Sequence, residues 1–176
     1  EQLVGLRTLY LGNTQLTNDG LCHLGPLRQL RSLYLNHTRI GDAGISTLGR
    51  LAQLEQLSLQ STGVTDKGLK QLAPLQSLHT LYLNGTSVTN SGMSALANLP
   101  ELSALYLSFA SIGDAGVEEL SRAKRLTTLV LAHTQISDTC ATSLSKLKQL
   151  KTLNVDATEF TDMGCAGLAK LTHLET

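Results

Sequence analysis

Residues 30–51 read LRSLYLNHTRIGDAGISTLGRL, and two periodicities divide this stretch. Leu33 and Leu35 flank Tyr34 in alternation, the period-two signature of a short strand with one buried face. From Asp42 onward the apolar side chains Ile45, Leu48 and Leu51 recur every third position, which suits a short α or 3₁₀ helix. Leu54 then begins the same pattern again, so the unit is 24 residues long.

Written in rows of 24, the chain aligns Leu6, Leu30, Leu54, Leu78, Leu102, Leu126, Leu150 and Leu174 in one column without a gap. The 176 residues include 38 leucines, all in seven of the 24 columns. A core that did not repeat would scatter them, so the core is periodic.

Composition excludes several classes. The 14 basic and 14 acidic residues cancel, leaving no net charge to draw the chain to nucleic acid or an anionic membrane. No apolar run approaches the roughly 18 residues that span a bilayer, and at 41% hydrophobic content the chain is not disordered by composition. Cys22, Cys140 and Cys165 are odd in number and widely spaced, neither a disulfide framework nor a CxxC motif, and point to a reducing compartment. The opening EQLVGLRTLY has no basic region followed by an apolar block, so it does not read as a signal peptide.

Other columns carry local signals. Asn18, Asp42, Asp66, Asn90, Asp114, Asp138 and Asp162 share one, and their side chains suit the N-cap of each helix. Two residues later come Gly20, Gly44, Gly68, Gly92, Gly116, Cys140 and Gly164, where glycine permits close packing or unusual dihedrals. Cys140 breaks that column and Ala141 is small for the next, so the sixth helix is expected to pack less tightly. Cys165 lies in an apolar column and is expected to be a small buried hydrophobe, whereas Cys22 lies in a polar column and is expected at the surface.

The motif LxxLxLxxTxITDxGLxxLxxL, in residues 54–75 and again in 78–99, resembles a leucine-rich repeat of the 24-residue kind. The form with Thr at positions 14, 38, 62, 86, 134 and 158 and a TDxGL block is similar to repeats of bacterial proteins, planctomycetes among them. The resemblance covers the whole chain. It implies an α/β fold: a right-handed solenoid, horseshoe or arc, of about seven repeats, with a parallel sheet on the concave side and short α or 3₁₀ helices on the convex side. The Thr column would then form a hydroxyl ladder for the loop backbone, broken at Ala110. Residues 1–176 read as a single repeat domain. Neither end has a polar cap, so the sequence is expected to be a fragment of a longer protein, or to self-associate end to end.

No catalytic or metal motif is present: there is no GxSxG, phosphate loop, HExxH or paired-cysteine spacing. His37 and His133 share a column four rows apart, about 19 Å at the usual strand spacing, too far to share an ion, and His23, His79 and His173 lie in three other columns. No cofactor is expected.

The concave face is the candidate site. The outward residue between the two strand leucines is Tyr10, Tyr34, Ser58, Tyr82, Tyr106, Val130 and Asn154 in turn, and it holds every tyrosine of the chain. Tyrosine offers large contact area at low entropy cost, although it also fills exposed strand positions well. Asn36, His37, Asn84, Phe109 and His133 flank this column. Phe109 and His133 come from adjacent rows and are expected to stack beside Tyr106, with a second cluster at Tyr10, Tyr34 and His37 near Arg7 and Arg31. The sequons at Asn36 and Asn84 fall on the same face, where a glycan would cover the tyrosines, which favours a cytoplasmic or bacterial setting.

The resemblance implies a non-catalytic module that binds a protein partner on the concave face. A substrate-recognition or regulatory segment of a larger enzyme, such as a ubiquitin ligase or kinase, and a carbohydrate-binding surface are the alternatives.

Overall fold

The computed structural model describes residues 5–169 and 171–175. Seven three-residue strands form one parallel sheet in chain order: β1 (Thr8–Tyr10), β2 (Ser32–Tyr34), β3 (Gln56–Ser58), β4 (Thr80–Tyr82), β5 (Ala104–Tyr106), β6 (Thr128–Val130) and β7 (Thr152–Asn154). Every residue pairs with the one 24 positions on, Leu57 with Leu81 and Leu81 with Leu105. The sequence period is therefore the register of the sheet.

A short helix returns the chain after each strand: α1 (Asn18–Leu21), α2 (Asp42–Leu48), α3 (Asp66–Lys70), α4 (Met93–Ala97), α5 (Asp114–Leu120), α6 (Ala141–Leu144) and α7 (Asp162–Leu168). Single 3₁₀ turns precede α4 and α6 and follow α1. Neighbouring helices pack on one another as neighbouring strands do, and such crossovers wind right-handed. Between the two layers the leucine columns close one continuous core, with Leu33, Leu57, Leu81, Leu105 and Leu129 all fully buried.

The Asp/Asn column acts differently from the expectation. Its residues are the first helical residues, and the N-cap lies one position earlier, at Thr65, Thr89, Ser137 and Thr161 among others. The carboxylate serves the following repeat instead of its own. Asp42 Oδ1 accepts the backbone N–H of Thr65 at 2.8 Å and of Gly68 at 3.0 Å, and its Oδ2 accepts the Thr65 hydroxyl at 2.7 Å. Asp114 does the same for Ser137, and Asp138 for Thr161 and Gly164. An orphan donor at the start of α3 and of α7 is thus satisfied from the repeat before, while the Lys67 and Met163 N–H groups are accepted by the N-cap hydroxyls of their own repeats.

This explains the glycine column. A Cβ on Gly68 would stand 2.5 Å from Asp42 Oδ1, and one on Gly116 would stand 2.6 Å from Asn90 Oδ1. Close approach of the neighbouring acid is the reason for glycine here. Cys140 and Ala141 are nonetheless buried, 1% and 5% exposed, because Ala141 packs against Gly167 of the next helix. The two residues that mark the sixth helix in the sequence are thus both in the interior.

The Thr hydroxyls satisfy the loop backbone as expected, each donating to the carbonyl three residues back within its own turn, Thr38 to Leu35 and Thr86 to Leu83. Ala110 lacks that bond and is still buried. Cys165 is exposed rather than buried, because no eighth helix among the described residues packs on α7. No described helix is long and apolar enough to cross a membrane.

Candidate functional site

Side chains alternate along each three-residue strand, so its middle leucine enters the core and its first and third residues face the concave side. The third residues give the tyrosine column. Tyr10 and Tyr34 stack with ring centroids 4.6 Å apart and planes 8° apart. Tyr82 and Tyr106 stack at 4.4 Å and 16°. The ring spacing follows the strand spacing of about 4.8 Å, which holds successive rings in an offset stack. Ser58 interrupts the line and is itself buried.

The hydroxyls are oriented from the neighbouring rows. Tyr34 donates to Gln56 Oε1 at 2.9 Å. Burial first, and then the neighbouring phenol of Tyr10, raise the pKa of Tyr34 above the usual tyrosine value. Tyr82 is raised in the same way, by burial and then by Tyr106 and Tyr34. Tyr34 and Tyr82 therefore present neutral hydroxyls near neutral pH.

The flanking residues fall at the turn that ends each strand. Asn13, His37, Ser61, Phe109, His133 and Ala157 all have left-handed backbone, φ between 52° and 61°, and Gly85 has φ 64°. A left-handed conformation is costly for a bulky residue, on the order of 1–3 kcal/mol. Phe109 bears that strain while 65% exposed. Its ring stacks on His133 at 4.2 Å and 11°, as the sequence led us to expect. His37 does not join its expected cluster: among the described residues no ring contact links it to Tyr34, and Arg31 turns away to pair with Glu55.

Gly85 leaves the other face of Phe109 uncovered. A recess of about 500 Å³ opens there, lined by Gln60, Ser61, Asn84, Gly85, Ser108 and Phe109. Asn84 is partly committed within it, its Oδ1 accepting the Ser108 N–H at 2.9 Å. Asn36 lies over Gly12, where a Cβ would meet its side chain at 2.5 Å. The strain, the exposed ring and the open recess converge on one place, the rim of the concave face in the third to sixth repeats.

Sequence reasoning missed the first strand residues, Thr8, Ser32, Gln56, Thr80, Ala104, Thr128 and Thr152, which share the concave face with the tyrosines. The same alternation that singled out Tyr34 carries this signal. It also missed the left-handed turn, which only Asn13 and Gly85 hint at by residue type. Among the described residues no three His, Cys, Asp or Glu side chains gather around a point that would hold a metal ion.

A family model described as "Leucine-rich repeat region" matches residues 1–176. Solved structures similar to the chain include an internalin (inlF) from Listeria monocytogenes, at a TM-score of 0.74 and 23% identity over 98% of this chain and 54% of that one. Internalin C2 (inlC2) from the same organism matches at 0.73 and 27% identity over 96% of this chain and 78% of that one. This chain thus spans about half the length of the first. No curated protein matches it at a significant level.

Proposed function

The chain belongs to the leucine-rich repeat family, and from that premise we propose that it is a non-catalytic module that binds a protein partner on its concave sheet. The rim formed by Tyr82, Asn84, Tyr106, Phe109 and His133 is the anchor, with Tyr10, Tyr34, Asn36 and His37 extending the contact. One observation carries the reading: Phe109 keeps an exposed ring on a strained left-handed backbone, a position that residues without a bulky side chain fill at lower cost elsewhere in the same column. Strain of this kind is retained where a site requires it. Exposed aromatic side chains with few rotamers are what protein interfaces use as hot spots.

Affinity capture with the wild-type chain and with the Tyr82→Ala/Tyr106→Ala variant tests the reading. The variant is expected to keep the fold and lose the partner. Undiminished capture would move the site to the convex or lateral surface.

A further inference from the structure

The formal charge of zero conceals a segregation across the solenoid. Of the 13 described Lys and Arg residues, nine lie between the end of a helix and the start of the next strand and Arg7 lies just before β1; only Glu55 and Glu101 share these segments, with Glu175 in the equivalent place after α7. The other ten described acids lie on the path from strand end through helix, with three cations. One lateral edge of the arc is therefore basic and the opposite side acidic.

The two sides are not equally available. On the acidic side Asp42, Asp66, Asp114 and Asp138 spend their carboxylates on backbone N–H and hydroxyl groups of the next repeat. On the basic edge Lys146 and Lys148 form no ion pair among the described residues, and Arg125 and Lys151 hold only surface pairs with Glu101 and Glu175. Pairs of that kind are weak and exchangeable. Helix dipoles explain part of the arrangement, since every helix points its C-terminus at this edge. Lys124 is used that way, donating to the Ser121 carbonyl at 2.8 Å. Arg50, Arg122 and Lys146 directly follow a C-cap and are favoured in the same way, whereas Arg125, Lys148 and Lys151 lie three or more residues past one, where the dipole has faded.

A recess of about 580 Å³ opens on the same edge, lined by His79, Ser103, Lys124, Arg125 and Thr127 together with Glu101, whose carboxylate is paired with Arg125. We propose that this basic edge, over the fourth to seventh repeats, is a second docking surface that takes an acidic polypeptide segment. Charge complementarity selects the occupant. No Phe, Tyr or Trp lies among the described residues of this edge and His79 is the one ring in the recess, so a single-stranded nucleic acid would find no run of stacking platforms. The surface lies at the opposite end of the strands from Phe109, and the inference does not depend on the concave-face reading.

The test is fluorescence anisotropy with a labelled twelve-residue Glu-rich peptide and the 176-residue chain. The expected result is salt-sensitive binding that weakens about tenfold or more in Lys124→Glu/Lys148→Glu. Binding should stay unchanged in Lys67→Glu/Lys70→Glu, which alters net charge equally on the other side. Circular dichroism confirms that both variants fold. No binding of the peptide at low salt, or equal loss in the two charge-reversed variants, would overturn the proposal. So would tighter binding of an oligothymidine or of phosphatidylserine vesicles than of the peptide.

Discussion

Asp66 grips Thr89 across the boundary between two repeats, its Oδ1 accepting the Thr89 N–H at 2.8 Å and its Oδ2 the Thr89 hydroxyl at 2.6 Å. The same pair recurs at Asp42, Asp114 and Asp138, with Ser137 supplying the hydroxyl after Asp114. Where it is asparagine the residue 23 positions on is glycine, Gly41 after Asn18 and Gly113 after Asn90. A carboxylate has a second oxygen that needs a donor, and the hydroxyl supplies it; beside glycine no hydroxyl exists, and an amide needs none. Asp66→Ala should therefore lower stability by about 2 kcal/mol, the cost of orphaned donors, and Asp66→Asn by about half that. A double-mutant cycle of Asp66→Asn with Thr89→Gly, followed by urea unfolding, should show coupling of about 1 kcal/mol. Simple additivity would mean that the pairing is coincidental.

Gly68 and Gly25 separate two roles of glycine. A Cβ at Gly68 meets Asp42 Oδ1 at 2.5 Å, whereas at Gly25 the nearest atom is 3.5 Å away. Gly68→Ala should cost about 2 kcal/mol by displacing the carboxylate, while Gly25→Ala should fall within about 0.5 kcal/mol of neutral. Thermal melts of the two variants decide the matter.

The three thiols should react at very different rates. Burial, followed by the charge of Asp114, pushes the Cys140 thiol up to about 12, while Cys22 and Cys165 are exposed. Only a thiolate attacks a disulfide reagent. Two equivalents of thiol should titrate at pH 8 in the native chain, and the third only on denaturation. Release of three equivalents without denaturant would contradict the burial of Cys140.

Stability should fall at both pH extremes. Hydrogen bonds from the Thr161 hydroxyl and backbone N–H hold the Asp138 carboxyl below its usual value. A depressed acid contributes stability above its unfolded pKa and loses it as pH falls through the folded one, so this contribution fades below about pH 4. Tyr34 and Tyr82 are raised, so their contribution is complete below about pH 10 and is lost as pH rises through the folded values. Urea midpoints measured from pH 2 to 12 should trace both losses. Asp138→Asn should flatten the acid limb and Tyr82→Phe the alkaline one.

The architecture was legible because the 24-residue period equals the sheet register, so aligning leucines in columns also aligned Leu57 with Leu81. The Asp column was misread because each row was considered alone. Its partner lies 23 residues on, and the alternation of Asp before Ser or Thr with Asn before Gly was visible only by reading across rows. Cys165 misled for a related reason: its column is apolar, but burial there requires a neighbouring helix. The tyrosines and the Phe109–His133 stack could be placed from alternation and row adjacency. The left-handed turn could not, because a column of Asn, His, Ser, Gly, Phe, His and Ala has no common conformational preference.

Hydrogen–deuterium exchange on the chain, alone and with its captured partner, tests the concave-face account most directly. The account predicts partner-dependent protection in β4, β5 and the turns after them, residues 80–85 and 104–109, with α3 to α5 unchanged. Protection confined to those helices, with 104–109 exchanging as in the free chain, would contradict it.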